Sequence, residues 1–195
     1  KAAGCCVIGI DVDSDRAAKA KELGCDHALP ADESVPTSVD QISAGHGVDV
    51  TIITAATESS APVKTAMEIT RKKGRVVVVG AVGLQLDRSP FYEKEIDFLI
   101  SCSYGPGRYD PSYEAGGLDY PYGYVRWTEN RNMQEYLEMV ARGTVRFHDL
   151  VDRTFTIEEA PAAYDYLKTH TPRPFSAVLT YKDKKSKEGY SVSET

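Results

Sequence analysis

Residues 5–11, Cys-Cys-Val-Ile-Gly-Ile-Asp, form an apolar, β-prone run that closes on an acid, and a helical pattern starts directly behind it. A buried strand that ends on a carboxylate and turns straight into a helix is half of a dinucleotide-binding βαβ unit, in which the acid accepts the hydroxyls of an adenosine ribose. Asp11 is therefore the first candidate binding residue, against the competing reading of a helix N-cap or a strand-end acid. A 2′-phosphate would meet like-charge repulsion there, so Asp11 favours NAD over NADP. Arg16, one turn into the helix, is placed to lie along an adenine or to be a solvated helix charge. The Gly-x-Gly-x-x-Gly turn of such a unit lies ~20 residues before the acid, and only ten residues precede Asp11 here. With Lys1-Ala-Ala-Gly reading as the worn end of a helix and no initiating Met, the expectation is a piece of a longer enzyme.

Strand and helix signals then alternate. Residues 16–23 carry Ala17, Ala18, Ala20 and Leu23 near one helical face before Gly24, with N-cap candidates in 13–15. Residues 25–30 read as a short strand, 34–44 as a weak helix ending in glycines, and 48–54 as a β-branched strand buried in a parallel sheet. A helix over 61–71, with Ser59 or Ser60 as cap, leads through Lys-Lys-Gly into Arg-Val-Val-Val-Val-Gly at 75–80, the clearest buried strand. Residues 96–104 read as another strand, 128–142 and 157–167 as helices, and 175–181 as a last strand. The pattern predicts an open, mostly parallel α/β sheet. The charged end, 182–195, is expected to be a polar linker or disordered tail.

Ligands of doubly wound sheets bind beyond the carboxyl ends of the strands. That singles out the small-residue turns after the two strongest strands: Thr54 and Ala55, and Gly80, Ala81 and Val82. Small side chains there let backbone approach a ribose or a flat ring, or simply make tight turns.

Between residues 104 and 127 the character changes to turn signals and six tyrosines, Tyr104 to Tyr124. Such a stretch is too long for an ordinary connection. It lines a substrate mouth, docks a partner, or packs on itself. Gly105-Pro106-Gly107 is no phosphate loop, having neither a helix directly after it nor a Lys-Ser/Thr.

Composition excludes several classes. A net charge of −6 with dispersed Lys and Arg offers no footprint for nucleic acid or an anionic membrane. No apolar stretch reaches the ~20 residues of a membrane span, and a cytoplasmic protein is expected. The four cysteines lack zinc spacing and read as buried thiols; the four histidines are scattered and read as structural or exposed. No metal site and no catalytic residue can be named.

The runs A-A-G-C-C-V-I-G-I-D-V-D-S-D-R-A-A-K-A-K-E-L-G-C-D-H-A, G-V-D-V-T-I-I-T-A-A and G-R-V-V-V-V-G, with the later D-R-T-F-T-I-E-E-A-P-A-A-Y-D-Y-L, resemble the cofactor domain of zinc-type medium-chain dehydrogenases (alcohol, sorbitol and threonine dehydrogenases) over residues 1–181. The fold implied is a Rossmann-type doubly wound α/β sheet lacking its first strand and glycine-rich loop. The segments Y-G-P-G-R-Y-D-P-S-Y-E and D-Y-P-Y-G-Y-V-R-W-T-E-N-R-N-M depart from ordinary alcohol dehydrogenases and look like bacterial two-module oxidoreductases, in which a second nicotinamide module follows. The resemblance implies NAD(P)-dependent hydride transfer at an alcohol carbon of an alcohol, sugar or threonine-like substrate. It places zinc and the proton relay in a catalytic domain outside this sequence, so the chain alone is expected to be inactive and to bind NAD weakly or not at all.

Two consequences follow. In the strand order 3-2-1-4-5-6 the missing strand is central, so the gap is expected to close by collapse of its edges, by insertion of 175–181, or by a strand from another copy. The strand at 96–102 is expected at the opposite edge, pairing a homodimer as in the resembled family. A non-catalytic nucleotide-binding regulatory module and a methyltransferase-like α/β domain are the competing classes.

Overall fold

The computed structural model describes residues 1–181, so the expected linker at 182–195 lies outside the described residues. The described residues divide into two compact units, the first over residues 1–138 and the second from residue 139 onward.

The first unit opens with β1 (Ile8–Asp11), α1 (Ser14–Glu22), β2 (His27–Pro30), α2 (Val35–Ile42) and β3 (Val48–Ile53). It continues with α3 (Ala61–Ile69), β4 (Thr70–Val78), α4 (Arg88–Lys94), β5 (Asp97–Ile100), the single turn α5 (Pro111–Glu114) and the start of α6 (Glu129–Ala141). α1 begins where Asp13 caps it, accepting the backbone N–H groups of Asp15 at 2.9 Å and Arg16 at 3.3 Å. It ends before Gly24, whose φ of +101° suits glycine. α3 stops two residues earlier than its periodicity suggests, because Thr70 already has extended backbone and pairs with Val48. α4 was not evident from the pattern; Asp87 and Pro90 were its only start signals.

Every strand pairing is parallel, as expected, but the strands form separate ladders. β1 pairs with β2, and β3, β4 and β5 make a three-stranded sheet in that order. The gap expected at the centre is closed neither by collapse nor by insertion. Among the described residues β1 pairs only with β2 and β3 only with β4, while the last strand pairs elsewhere. What joins the two ladders is a helical layer: Val35 and Val39 of α2 and Ile69 of α3 are buried against Ile8, Ile10, Leu29 and Val48. β5 does occupy a sheet edge.

The main core lies on one face of the three-stranded sheet, where α3 sets Val63, Ala66 and Met67 on Ile53, Val76, Val78 and Ile96. Phe91 of α4 packs edge-on against Phe98 of β5, ring centres 5.6 Å apart. Lys94 closes this layer, its Nζ donating to the carbonyls of Met67, Glu68 and Thr70 at 3.0, 2.5 and 3.0 Å. These are orphan carbonyls at the end of α3, where a cation also complements the helix dipole. Burial lowers the pKa of this ammonium, with Glu68 and Glu93 opposing the shift.

The cysteines are not buried: Cys5, Cys6 and Cys102 are exposed and Cys25 is half-buried. β1 starts only at Ile8 and β5 ends at Ile100, so three of the thiols fall outside the strands expected to hide them. Cys25 instead donates its thiol to the carbonyls of Val7 and His27, at 3.1 and 2.9 Å.

In the second unit β6 (Arg153–Thr156) pairs with β7 (Ala177–Thr180), and α7 (Ala160–Thr169) lies between them in sequence. Thr156 and Glu159 form a capping box ahead of α7. β6 carries little strand signal, because its Arg-Thr-Phe-Thr buries only Phe155.

Candidate functional site

Asp11 stands at the carboxyl end of β1, as its sequence context requires. One of its oxygens accepts the backbone N–H of Asp13 at 2.9 Å, fixing the turn into α1. Arg16 sits in the first turn of α1 with its Nε 3.8 Å from Asp13 Oδ2, so Asp11, Asp13 and Arg16 form one local group.

The second group is built by β3 and β4. Register pairs Ile53 with Val78 and Val78 with Ile100, so the three parallel strands end together and their following turns share one edge. Val79 and Gly80 both donate their N–H groups to Ile53 O at 2.9 Å, and Thr57 donates to Ala81 O at 2.8 Å. A parallel bridge joins Thr57 to Val82.

Gly80 is required by close approach. A Cβ there would sit 2.0 Å from Ala55 O and 2.8 Å from Thr54 O, and both atoms are backbone. Gly83 is equally confined, its would-be Cβ 2.4 Å from Glu58 O. Thr54, Ala55, Gly80, Ala81 and Val82 are thus brought together in two turns locked edge to edge. No hydrogen bond among the described residues joins them to the Asp11 group.

The third turn at this edge follows β5. Ser101 N–H donates to Val78 O at 2.8 Å, and the chain then enters the tyrosine-rich segment. That segment is a closed knot. Glu129 N–H donates to Pro106 O at 2.8 Å and Asn132 Nδ2 to Tyr104 O at 3.0 Å, pinning its end to its beginning. Inside, Tyr113 and Tyr120 stack with ring centres 5.6 Å apart, and Tyr113 donates its hydroxyl to fully buried Thr128 at 3.1 Å. Tyr120 donates to Asp110 Oδ2 at 2.5 Å. That bond, with the backbone N–H of Ser112, holds the Asp110 carboxyl below the usual range. Tyr104, Tyr109, Tyr122 and Tyr124 point outward and are exposed. The segment therefore packs on itself, one of the readings open from sequence, while four of its tyrosine rings remain exposed. Thr128 and the arginines of the knot carried no sequence signal beyond their setting among tyrosines.

Among the described residues no group of three or more His, Cys, Asp or Glu side chains could hold a metal ion. No helix among them is long and apolar enough to cross a membrane.

Residues 1–115 match the sequence profile of the zinc-binding dehydrogenase family. A sorbitol dehydrogenase of Halalkalibacterium halodurans is 25% identical over 167 residues, 84% of this chain and 41% of that protein. The chain therefore spans about two-fifths of that relative's length. The zinc-dependent alcohol dehydrogenase 2 of Streptococcus pneumonia superposes with a TM-score of 0.67 at 17% identity, covering 92% of this chain and 45% of that one. The alcohol dehydrogenase of Aeropyrum pernix gives 0.60 at 22% identity, over 90% and 42% of the two chains. At those identities the superpositions show a shared α/β, Rossmann-like fold.

Proposed function

We propose, because this chain belongs to the zinc-binding dehydrogenase family, that it supplies the NAD-binding part of an oxidoreductase that moves hydride to or from the alcohol carbon of a small alcohol or sugar. The observation that carries the reading is Asp11 at the end of a parallel strand, turned by its own carboxylate into a capped helix. This fits the ribose of NAD, and two more acids, Asp13 and Asp15, stand directly behind it against a 2′-phosphate. The turns at Thr54–Ala55 and Gly80–Ala81–Val82 present small side chains where the nicotinamide half would lie, and Arg16 flanks the adenine. Bound NAD would supply the hydride acceptor; this chain's residues bind and orient it. The side chains described here do not fit zinc, so no zinc step is assigned to them. The edge position of β5 supports a homodimer through residues 96–102.

Calorimetric titration tests the proposal on two proteins, this chain and a longer one that adds an upstream strand and glycine turn. The expected result is NAD binding by the longer protein, weak or no binding by this chain, and about tenfold or greater loss in Asp11→Asn, since a charge-assisted bond is replaced by a neutral one. Failure of the longer protein to bind NAD, or a preference for NADP, overturns it. The regulatory-module reading is separated by alcohol turnover in the longer protein, and the methyltransferase reading by titration with a sulfonium nucleoside.

A further inference from the structure

Three arginines lie in the knot and in the start of α6 that closes it, and they are not used alike. Arg108 is paired with Glu114. Arg131 is clamped by Asp119 and by the carbonyls of Val125 and Tyr120. Arg126 meets no carboxylate among the described residues; its guanidinium lies over the rings of Tyr122 and Trp127, 4.8 and 4.0 Å from their centres. That isolation stands out in a chain with 29 acidic residues against 23 Lys and Arg.

Stacking on aromatic faces fixes a guanidinium through its plane and leaves the N–H donors at its edge unspent. Those donors form a fork that matches the two oxygens of a carboxylate or phosphate. Beside them stand Tyr122, 59% exposed, and Trp127, 44% exposed, while Tyr124, two residues earlier in the chain, is 92% exposed. Exposed flat rings and hydroxyls of this kind suit the apolar face and the hydroxyls of a sugar ring. The platform is preformed, because the bonds that close the knot and bury Thr128 hold the segment before any ligand arrives.

Its position in the chain gives the platform a use. β5 is parallel to β3 and β4 and ends level with them, so the knot springs from the same edge as the turns at 54–57 and 80–83. Resting on the dehydrogenase reading given above, which makes that edge the nicotinamide side, we infer that Arg126 recognises the anionic group of the substrate: a small alcohol or sugar carrying a carboxylate or a phosphate. Tyr122 and Trp127 set the guanidinium and offer ring faces to the same molecule. The proposed hydride transfer concerns the alcohol carbon; this site reads a charge elsewhere on the substrate and so selects among alcohols.

Trp127 is the chain's one tryptophan, so its fluorescence reports occupancy of this site directly. The chain is titrated with galacturonate and glucose 6-phosphate as the carboxylate and phosphate probes, with neutral glucose and sorbitol, and with inorganic phosphate. A saturable change with at least one anionic sugar, at roughly tenfold or more lower concentration than with the neutral sugars, is expected from a charge-assisted fork. Whichever anionic sugar binds more tightly identifies the group. Arg126→Ala should remove the response and Arg126→Lys retain a weaker one, since an ammonium keeps the charge without the fork. Arg126 is exposed, so both variants should keep the unaltered far-ultraviolet spectrum; if Arg126→Ala alone loses it, Arg126→Lys decides. Equal responses to neutral and anionic sugars, no saturable response to either anionic sugar, an unaltered response in both variants, or inorganic phosphate binding as tightly as the sugars would each overturn the proposal. Calorimetry with NAD is a separate readout: sugar-anion binding without NAD binding by the longer protein leaves this site standing and removes the dehydrogenase reading, and the converse outcome does the reverse.

Discussion

The layer of α3 on β3–β5 and the knot at 104–128 are neighbours in sequence, but different forces hold them. The first buries aliphatic side chains almost completely, Val63 and Val76 at 0% and Met67 at 4% exposure. The centre of the second is a threonine, also at 0%, which accepts the Tyr113 hydroxyl. Non-directional burial tolerates exchange of one apolar shape for another of similar volume. A polar network depends on each donor finding its acceptor and is costly when one member is removed. The two regions should therefore fail under different perturbations.

Volume is the sharpest lever on the first. Met67→Ala leaves a cavity between α3 and the sheet and should cost about 2–5 kcal/mol. Urea unfolding should be followed both by far-ultraviolet circular dichroism and by Trp127 emission, which belongs to the knot. If the regions are separately held, the dichroism midpoint falls further than the Trp127 midpoint. Coincident shifts of the full size would make them one cooperative unit and dissolve the contrast.

The matching test of the knot preserves volume and deletes one oxygen. Thr128→Val leaves the Tyr113 hydroxyl without its acceptor inside the segment and should cost about 1–3 kcal/mol. Here Trp127 emission should move first. A variant as stable as the original would mean that the stacked rings of Tyr113 and Tyr120, rather than the hydroxyl network, hold the segment.

This contrast also explains what could be read from the residues alone. The α/β half announced itself because Val-Asp-Val-Thr-Ile-Ile and Arg-Val-Val-Val-Val are dense in β-branched residues, and Asp13 and Gly24 bound α1 by local backbone chemistry. Asp11, Thr54, Ala55 and the turn at Gly80 were legible for the same reason, since position at a strand end follows once the strand is known. The division into separate ladders was not legible, because strand pairing depends on partners distant in sequence. The knot resisted as well. Whether a tyrosine points inward, as Tyr113 does, or outward, as Tyr124 does, depends on single hydrogen bonds to Thr128 and Asp110 that leave no period in the sequence. Arg126 differs from Arg108 and Arg131 only in the company that folding gives it.

Acid should distinguish the regions again. Asp110 is held below its ordinary carboxyl value first by the Tyr120 hydroxyl and then by the Ser112 N–H, so its anionic form is the one the folded knot prefers. A depressed native value gives stability that is fully present above the unfolded carboxyl value, near ~3.9. That stability is lost as pH falls through the lower native value. Arg108 depresses Glu114 in the same direction. Trp127 emission, a signal the aliphatic layer does not carry, should therefore change on acidification below about pH 4, and Asp110→Asn should remove part of that transition. An acid transition identical in wild type and variant would place its origin elsewhere.

The smallest effect is expected at a contact that looks strong on distance alone. Arg71 Nε lies 2.7 Å from Asp49 Oδ1, tying the start of β4 to β3, yet the two side chains are 41% and 82% exposed. Water screens both charges and holding two mobile side chains costs entropy, so Asp49→Asn should change stability by about 0–1 kcal/mol. The difference should shrink further in molar salt, where the screening length falls to roughly 3 Å. The tighter-set Arg131, 14% exposed and bonded to two carbonyls besides Asp119, should behave otherwise. Arg131→Ala should loosen the knot more than Asp49→Asn loosens the sheet, because two half-buried carbonyls lose their donor. Were the two losses equal, surface pairing and network membership would count alike, and the distinction between the two regions would rest on aliphatic burial alone.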